Sequence, residues 1–427
     1  MIAILIFAGK SKRFWPLAEK NFFPVYGTTL LQRQVAKLEE AGFQEIVLVG
    51  GKHNVKEARR LFPGKNILTQ SEKESGMRGA LLTALPRCKK EPVLIVSTND
   101  IIDGSAFRLL RTQGMKKREG GLILAKKVKT YFPGGYLKTK GKKILSIIEK
   151  PGAGKEPSNL VNIVAHVHAD ASVLLAALKQ VKNDKDDGYE QALDRLCKDA
   201  PYEAMPYTGD WQAVKYPWHL LDLLEKLTPP TTKPVLPKSC SVHRTAVIEG
   251  AVILGDNVRV MAHATIVGPC TIGKNSIVAN NALVRGSSIG ENCVIGYNTE
   301  IARSILGDGV WTHSSYVGDS ILASHVSLAA GTVTGNLRLD EEPIASVVQG
   351  VRIPTHRQKF GAILGERCRT GIHTCLLPGV KIGAGSFVSS GSVVATDIPD
   401  ASFVKDGTVR ENRILPKTDR EKFLQKI

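Results

Sequence analysis

The sequence predicts an α/β domain built on a mostly parallel sheet, followed by a left-handed parallel β-helix made of hexapeptide repeats. Residues 1–226 alternate β-branched apolar runs with helical stretches, and residues 241–400 place an aliphatic residue at every sixth position over long tracts. Residues 227–240 between them are rich in proline, which favours an extended linker over a helix. A chain of 427 residues also exceeds what one compact core usually holds, so separate domains are expected.

The first half of the chain shows the rhythm of strands that alternate with helices. The predicted strands are Ala3–Phe7, Glu45–Val49, Val93–Ser97 and Gly121–Ala125, and helical stretches such as Leu30–Ala41 and Gly79–Leu85 lie between them. Strands that alternate with helices in this way are typical of a mostly parallel sheet covered by helices on both faces.

The second half repeats with a period of six. The clearest members of the series are Leu254, Val260, Ile266, Ile272 and Val278, and later Leu376, Ile382, Val388 and Val394. Six residues make one side of a triangular coil whose aliphatic side chain points inward. Residues 336–361 break the period, which predicts a loop extruded from the coil. Residues 401–427 are expected to form a tail that ends in a short charged helix.

The net charge of +18 raises the question of an anionic partner. The chain carries no zinc-finger, RRM or KH signature and no dense basic tract, so nucleic acid is not expected. Small phosphorylated substrates also favour a positive surface. No run of 18 apolar residues appears, and we therefore expect no membrane partner.

The cysteines and the first residues of the chain bear on its location. Seven cysteines form no Cys-x-x-Cys pair, and their odd number fits neither a disulfide scaffold nor a zinc site. The apolar start, Met1–Gly9, lacks a basic leader and is short for a signal peptide. These features predict reduced cysteines and a cytoplasmic protein.

The loop after the first predicted strand combines small residues with Lys10, Lys12 and Arg13, a composition suited to phosphate groups. Farther along, Val93–Ser97 is an apolar run that leads to Asp100, at the end of a parallel strand where ligands bind. Other motifs follow in order: Lys20-Asn-Phe-Phe-Pro-Val-Tyr-Gly27, Glu149-Lys-Pro151, Ser158–Asn162 and Gly209–Leu221. Together they make residues 1–225 resemble the sugar-phosphate nucleotidylyltransferases.

This resemblance implies a Rossmann-like nucleotidyltransferase domain and a set of site residues. Arg13 would contact the triphosphate and Lys20 the substrate, both in catalytic roles, and Asp100 would bind Mg²⁺. Gly9 and Gly76 would line the nucleotide site, and Glu149 and Asn162 would hold the sugar. The sugar-1-phosphate oxygen would attack the α-phosphorus of a nucleoside triphosphate and expel pyrophosphate.

Several functional positions depart from the family pattern, among them Ser11-Lys12, which replaces a Gly-Thr pair after the first strand. Ala213 stands where the family has its second metal-binding aspartate, and the Gly-Thr-Ala motif of the base pocket reads Gly76-Met77-Arg78 here. Because Mg²⁺ neutralises phosphate charge in nucleotidyl transfer, loss of a carboxylate ligand weakens that chemistry. A first domain that keeps the fold without catalysis is therefore an open alternative.

Two segments of the repeat region, Trp311–Asp319 and Leu328–Asp340, match a known family. They resemble the acetyltransferase domain of the bifunctional glucosamine-1-phosphate acetyltransferase/N-acetylglucosamine-1-phosphate uridylyltransferases, especially the archaeal type. Acetylation of an amine requires removal of its proton, for which an imidazole is suited at neutral pH. The resemblance implies that His313 is the catalytic base. Further expected contacts are Tyr316 and Asn336 to the sugar, Arg303 and Lys359 to phosphate, and Ala330 and Gly371 to acetyl-CoA.

Two functions from different classes follow. The first is nucleotide-sugar biosynthesis, in which acetyl-CoA acetylates an amino-sugar-1-phosphate and UTP or dTTP then supplies the nucleotidyl group, giving a UDP-N-acetyl amino sugar. The second is a catalytically degenerate regulatory or scaffolding subunit, with an acetyltransferase that has a silent first domain as the intermediate case. The flat faces of a triangular coil, and the way family members complete the acyl site across subunits, predict a homotrimer.

Overall fold

The computed structural model describes residues 1–72, 76–181 and 187–413. The chain divides into two compact units. The first contains Met1–Lys10 and Leu30–Ala213, and the second contains Ser11–Thr29 and the chain from Val214 onward. Residues 11–29 and 214–226, which the sequence places in the first domain, thus belong to the second unit. Among the described residues, no helix has the length and apolar character needed to cross a membrane.

Among the described residues up to Lys226, the secondary structure combines strands with seven α-helices. The strands are β1 (Ile2–Ile6), β2 (Pro24–Val25), β3 (Thr28–Thr29), β4 (Ile46–Gly50), β5 (Asn66–Thr69), β6 (Val93–Ser97), β7 (Asp100–Ile102), β8 (Gly121–Lys127), β9 (Gly135–Lys140), β10 (Lys143–Glu149), β11 (Leu160–His168), β12 (Tyr202–Pro206) and β13 (Trp211–Ala213). The helices are α1 (Leu30–Glu40), α2 (Val55–Leu61), α3 (Gly76–Ala84), α4 (Gly104–Gly114), α5 (Ala171–Gln180), α6 (Gly188–Asp199) and α7 (His219–Lys226). Short 3₁₀ helices cover Lys12–Phe14, Lys20–Phe22 and Leu85–Arg87.

The remaining elements are short strands. They are β14 (Ser241–Val242), β15 (Val247–Glu249), β16 (Val252–Leu254), β17 (Arg259–Val260), β18 (Thr265–Val267), β19 (Cys270–Ile272), β20 (Ile277–Val278), β21 (Leu283–Arg285), β22 (Ser288–Ile289), β23 (Val294–Ile295), β24 (Glu300–Ala302), β25 (Ile305–Leu306), β26 (Trp311–Thr312), β27 (Tyr316–Gly318), β28 (Ile321–Leu322), β29 (Ser327–Leu328) and β30 (Val333–Thr334). They continue as β31 (Ile344–Val348), β32 (Val351–Arg357), β33 (Ile363–Leu364), β34 (Arg369–Thr370), β35 (Cys375–Leu376), β36 (Lys381–Ile382), β37 (Phe387–Val388), β38 (Val393–Val394), β39 (Ser402–Lys405) and β40 (Thr408–Glu411).

The first unit is built on a nine-stranded sheet of order β5-β4-β1-β6-β11-β8-β12-β10-β9. Strands β5, β4, β1 and β6 are parallel, and β1, β4 and β6 are buried along their whole length, as strands covered on both faces require. Beyond β6 the sheet is mixed, because β11 runs antiparallel to β6 and β8. The prediction of a mostly parallel sheet therefore holds for β5, β4, β1 and β6, whereas the other half is mixed and includes the parallel pair of β8 with β12.

Two buried histidines on β11 form a hydrogen-bonded cluster in the first unit. The Nδ1 atom of His166 lies 2.7 Å from the hydroxyl of Tyr189, and Nδ1 of His168 lies 2.7 Å from the hydroxyl of Tyr202. Burial lowers the pKa of His166 and that of His168 to about 3 each. Both imidazoles are therefore neutral in the folded protein at neutral pH.

We expect this cluster to make the first unit acid-sensitive. In the unfolded chain each histidine titrates near its ordinary pKa of about 6.5, so between that pH and about 3 the unfolded state binds more protons. Stability is then fully present above pH 6.5 and falls as the pH drops, by about 2 kcal/mol per histidine at pH 5. The free energy of unfolding of the first unit can be measured at pH 7 and pH 5 by hydrogen exchange in urea. In His168→Gln, the difference between the two pH values should be about half of that in the natural chain. An unchanged difference would contradict the prediction.

The second unit contains three parallel sheets through which the chain passes in turn. Up to β30, each strand of the coil pairs with the strand three positions later, as in β14–β17, β15–β18 and β16–β19. We name the sheets that contain β14, β15 and β16 the first, second and third sheets. The predicted inward residues Leu254, Val260, Ile266, Ile272 and Val278 are all buried in one apolar cluster, which confirms the meaning of the six-residue period.

The corners between the sheets carry the features that matter for function. We name the turn from the first to the second sheet the first corner, and the turn from the second to the third the second corner. The predicted extruded loop, residues 336–361, leaves at a second corner and folds back as the β31–β32 hairpin. The coil then resumes, because Gly361 N donates to Asp319 O at 2.8 Å and β33 pairs with β28.

The predicted C-terminal tail is in part a continuation of the coil. Strand β39 pairs in parallel with β37 of the first sheet, and β40 folds back on β39 through a turn at Gly407. The prediction of a tail over these residues is wrong, because Val404 packs into the coil core in an alternating strand pattern. The expected charged helix at the end of the chain falls on residues 414–427, outside the described part.

Candidate functional site

The predicted metal ligand Asp100 lies beside the position of the missing aspartate. Strands β7 and β13 form a two-stranded antiparallel ribbon in which Asp100 pairs directly with Ala213. The indole Nε1–H of Trp211 donates to Asp100 Oδ1 at 2.8 Å, and Ala213 is buried. A carboxylate at position 213 would therefore stand next to Asp100, and the chain presents a methyl group there instead.

The fit of this region to Mg²⁺ depends on the nucleotide. Among the described residues, no group of three or more His, Cys, Asp or Glu side chains is arranged to hold a metal ion. Sites for phosphoryl transfer usually hold Mg²⁺ through one or two carboxylates together with substrate phosphates. Asp100 meets the lower limit of that donor set, so it fits the ion only when phosphate oxygens supply other ligands. Asp210, which precedes Trp211, is exposed.

The predicted nucleotide-site glycines occupy different surroundings. Gly9 is exposed, and a Cβ atom there would meet no atom within 4 Å, so the backbone is open to a ligand. Gly76 begins α3 with a positive φ of 64°, and its carbonyl accepts a hydrogen bond from Gln70 Nε2 at 3.1 Å. Met77 packs against the core, and Arg78 Nε donates to the carbonyl of Leu178. The residues after Gly76 are thus engaged in packing.

The predicted sugar-site residues Glu149 and Asn162 meet around one glycine. Glu149 pairs with Gly135 across the β9–β10 ladder, and a Cβ atom on Gly135 would lie 2.9 Å from Asn162 Oδ1. Asn162 stands at the irregularity in the pairing of β11 with β8. Both side chains are half-buried. The structure therefore places two residues that are 13 positions apart beside the same glycine.

The predicted phosphate residues Arg13 and Lys20 belong to the second unit. The guanidinium of Arg13 is exposed and lies 6.0 Å from the ring centroid of Tyr216. Glu19 organises the turn between them: its Oε1 accepts from Ser11 Oγ at 2.9 Å and from Asn21 Nδ2 at 2.7 Å. The loop therefore presents Arg13 outward from an ordered turn.

In the second unit, the predicted acetyl-acceptor residues Arg303 and Asn336 bind one buried carboxylate, and Asn336 also binds Tyr316. Arg303 donates two parallel hydrogen bonds to Asp319, from Nε to Oδ1 at 2.7 Å and from NH2 to Oδ2 at 2.6 Å. Asn336 Nδ2 donates to Asp319 Oδ2 at 2.5 Å and to Tyr316 Oη at 3.1 Å. Asp319 is 1% exposed, and its hydrogen bond raises the pKa of Arg303. The motif resemblance assigns no role to Asp319, which stands 16 residues after Arg303 and so one coil above it at the second corner.

A cavity of about 490 Å³ opens beside this network. It is lined by His219, Asp222, Glu225, Arg303, Asp319, Thr355, His356, Arg357, Gln358 and Lys359. Arg357 forms ion pairs with Asp222 at 2.5 Å and with Glu225, which anchors the hairpin to α7. The two predicted phosphate residues, Arg303 and Lys359, therefore face one cavity, although the Arg303 guanidinium is already engaged by Asp319.

The predicted base His313 stands at a first corner, away from the Arg303 corner. Its side chain is exposed and is not among the residues that line the cavity. The predicted acetyl-CoA residues share its column of corners: Gly331 N donates to Ser314 O at 3.0 Å, and His373 N donates to Ala330 O at 2.8 Å. Gly371 precedes His373 in the next coil. Strand β27, with Tyr316 at its start, separates His313 from Asp319.

The small size of Gly318 permits the contact between Tyr316 and Asn336. A Cβ atom there would lie 2.5 Å from Tyr316 Oη and 2.7 Å from Asn336 Nδ2. We expect Gly318→Ala to separate the two side chains, to cost about 1–3 kcal/mol of stability and to raise the KM for an amino-sugar-1-phosphate roughly tenfold. Urea midpoints and acetyl-transfer kinetics measure these effects. Gly104→Ala, where the nearest atom to the new Cβ is 3.8 Å away, is the control. Unchanged kinetics in Gly318→Ala would contradict the prediction.

Comparisons with known proteins match both halves of the chain. Residues 3–231 match the family model described as MobA-like NTP transferase domain, and residues 232–336 match the model described as GMPPB C-terminal domain. A bifunctional sugar-1-phosphate nucleotidylyltransferase/acetyltransferase from Sulfurisphaera tokodaii is 29% identical, over 95% of this chain and 100% of that protein. The bifunctional protein GlmU of Methanococcus vannielii is 28% identical, over 97% and 100%. The bifunctional protein GlmU of Methanocaldococcus jannaschii is 27% identical, over 95% and 97%.

Proposed function

We propose that this chain, which belongs to the family of MobA-like NTP transferase domains, is a bifunctional enzyme of nucleotide-sugar biosynthesis. It would transfer acetyl from acetyl-CoA to an amino-sugar-1-phosphate and a nucleotidyl group from UTP or dTTP to a sugar-1-phosphate. Support comes from the relative from Sulfurisphaera tokodaii, whose name states both activities and which aligns along nearly the whole chain. The structural observation that carries the acetyl-transfer half is the joining of Arg303, Tyr316 and Asn336 at Asp319.

For acetyl transfer, we propose that His313 removes a proton from the amine as the nitrogen attacks the thioester carbon of acetyl-CoA. The carbon–sulfur bond then breaks and the coenzyme leaves as a thiol. Tyr316 and Asn336 would hold the sugar hydroxyls, with their own positions fixed by Asp319. Lys359 would attract the phosphate, and Ala330 and Gly371 would border acetyl-CoA along the first corners.

For nucleotidyl transfer, we propose that a sugar-1-phosphate oxygen attacks the α-phosphorus of the nucleotide and that pyrophosphate leaves. Arg13 and Lys20 would stabilise charge on the phosphates, and Glu149 and Asn162 would orient the sugar beside Gly135. Asp100 would hold Mg²⁺ together with phosphate oxygens, and the ion when bound supplies neutralisation of the negative charge that builds on the phosphates.

A second candidate is an acetyltransferase with a silent first unit, or a catalytically degenerate regulatory or scaffolding subunit. The observation that favours it is the buried methyl of Ala213, which is paired directly with Asp100 where a second carboxylate is expected. The packing of Met77 and the engagement of Arg78 point the same way.

One pair of assays on the purified full chain tests these functions. The first follows thiol release from acetyl-CoA with glucosamine-1-phosphate and with galactosamine-1-phosphate. The second follows pyrophosphate release from UTP and dTTP with each sugar-1-phosphate. The bifunctional proposal expects both signals. Absence of thiol release with both amino-sugar phosphates would eliminate acetyl transfer, whereas thiol release without pyrophosphate would favour the second candidate.

Restoring the missing carboxylate gives a prediction of its own. We expect Ala213→Asp to raise pyrophosphate release about tenfold at limiting Mg²⁺, since two carboxylates hold the ion better than one. The melting temperature of the variant should also rise more on addition of Mg²⁺ than that of the natural chain, because the ion relieves the repulsion of two adjacent carboxylates. Ala213→Asn is the uncharged control. Equal behaviour of the two variants would show that the missing charge is not the defect.

The fold and assembly complete the proposal. We propose that the three-sheet coil is a left-handed β-helix, in keeping with its hexapeptide period, and that three chains associate through it. The second sheet offers an apolar outer ladder for this contact, in which Val333 pairs with Cys375 and Cys375 with Val393. Val393 is 66% exposed. A monomeric mass in solution at working concentration would rule the trimer out.

We also propose a cytoplasmic location, with which the seven unpaired cysteines agree.

A further inference from the structure

The outer face of the third sheet is buried, unlike that of the second sheet. Its outward residues from Ser288 onward are Ser288, Ile305, Ile321, Ile363 and Lys381, none more than 3% exposed. On the second sheet, outward Val333 is 40% exposed. Ser288 Oγ accepts a hydrogen bond from the backbone N–H of Tyr26 at 2.8 Å. The segment Ser11–Thr29, which we name the docked segment, is therefore bound to this face of the coil within the second unit.

A buried cation lies at the far end of the same face. The Lys381 side chain is 2% exposed, and its Nζ donates to Asp397 Oδ2 at 2.6 Å and to Ser346 Oγ at 3.0 Å. The ammonium also lies 5.6 Å from the ring centroid of Trp15 in the docked segment. A desolvated ammonium near an indole face is attracted by the ring, more strongly than at an exposed site. Lys381 thus joins Trp15 to the hairpin and to the last coil.

Trp15 has a second attachment to the coil. Its indole Nε1–H donates to Asp400 Oδ1 at 3.0 Å. The same oxygen accepts the backbone N–H of Ala384 at 2.8 Å, so the acceptor is itself held in place. The indole is therefore fixed at its ring and at its edge. Arg13, two residues earlier, has an exposed guanidinium, and the placement of that group depends on how well the loop is held.

We infer that Lys381, Asp400 and Trp15 are positioning residues for nucleotidyl transfer, because together they hold the loop that carries Arg13 against the β-coil. The inference rests on the proposed nucleotidyl transfer. A group that acts on charged phosphates must be held near its productive geometry by neighbours that are themselves locked. Here these neighbours come from the repeat region, some 370 residues away in the sequence from the loop. The coil would then serve the nucleotide site as well as acetyl transfer.

The test uses the full chain and substitutions that change single contacts. Trp15→Phe keeps a ring near Lys381 and removes the N–H that Asp400 accepts. Lys381→Met removes the charge, and Lys381→Arg restores it. Trp311→Phe makes the same chemical change as Trp15→Phe on the first sheet, away from the docked segment. For each variant, hydrogen exchange of residues 11–29, equilibrium binding of UTP, pyrophosphate-release kinetics and acetyl transfer are measured.

We expect Trp15→Phe and Lys381→Met to speed exchange in residues 11–29 at least tenfold and to raise the KM and the dissociation constant for UTP about 5–20-fold. The kcat should change less than threefold, and acetyl transfer should persist. Lys381→Arg should recover most of the loss, and Trp311→Phe should show none. Unchanged exchange and unchanged UTP binding in both variants would overturn the inference. If the natural chain binds UTP without releasing pyrophosphate, the proposed nucleotidyl transfer fails. The positioning role is then tested by hydrogen exchange of residues 11–29 and by UTP binding alone.

Discussion

Replacement of His313 by alanine is expected to lower acetyl transfer by about 10²–10⁴-fold, the usual contribution of a positioned general base. The amine of the acceptor would then have to lose its proton to water as it attacks the thioester. Because the imidazole of His313 is exposed and lines no part of the cavity, the loss should appear in kcat more than in the KM for the sugar phosphate. Thiol release from acetyl-CoA at saturating glucosamine-1-phosphate measures it.

The control for this prediction is His243→Ala, which removes an exposed histidine at the start of the coil. It should leave thiol release within threefold of the natural chain, as should pyrophosphate release in His313→Ala. An equal loss in both histidine variants would point to a general effect on the coil. Full activity in His313→Ala would transfer the role of base to another group, with His219 and His356 in the cavity as the next to be changed.

Replacement of Asp100 by asparagine is expected to reduce pyrophosphate release by roughly 10²–10³-fold, since metal stabilisation of phosphate charge is worth several kcal/mol. The effect should be large because Ala213 offers no second carboxylate beside Asp100. The amide keeps an acceptor for the indole N–H of Trp211, so the ribbon of β7 and β13 should persist. Rates as a function of Mg²⁺ concentration, with acetyl transfer as a check of folding, measure the change.

Asp210→Asn is the matched control, because Asp210 is a nearby exposed carboxylate in the same segment. It should change pyrophosphate release less than threefold. If Asp210→Asn instead abolished Mg²⁺ dependence while Asp100→Asn retained it, the metal would be held by Asp210, and the assignment of Asp100 would be wrong.

The coil was open to prediction from sequence because its physical cause is local and repeated. The inward residue is aliphatic on most sides of the coils, so the burial of Leu254 or Ile272 follows from spacing alone. Thr312, Thr334 and Thr370 are the buried exceptions at this position. The same spacing marks the third sheet, where Ile305-Leu306, Ile321-Leu322 and Ile363-Leu364 place apolar residues on both faces. These adjacent apolar pairs are the one feature of the sequence that indicates that the outer face of the third sheet is covered.

The acetyl-acceptor cluster was only partly accessible in this way. His313, Tyr316 and Asn336 follow from motif resemblance, but the buried carboxylate of Asp319 that joins Tyr316 and Asn336 to Arg303 depends on which corners stack on one another. The extruded loop also returns to that corner, a closure that no local pattern encodes. In the first unit, the meeting of Glu149 with Asn162 needs the pairing of β9 with both β10 and β11.

By itself, the sequence determined the two architectures, the order of the motifs and the identity of most candidate side chains, because hydrophobic period and motif spacing are local properties of the chain. Only the tertiary structure decided that β11 runs antiparallel to β6, that residues 402–411 extend the coil and that Ser11–Thr29 lies on its third sheet. Each of these is a contact between segments distant in sequence, whose partner is selected by shape and burial. The loop with Arg13, predicted as part of the first domain, therefore belongs to the second unit, where Trp15 contacts Lys381 and Asp400.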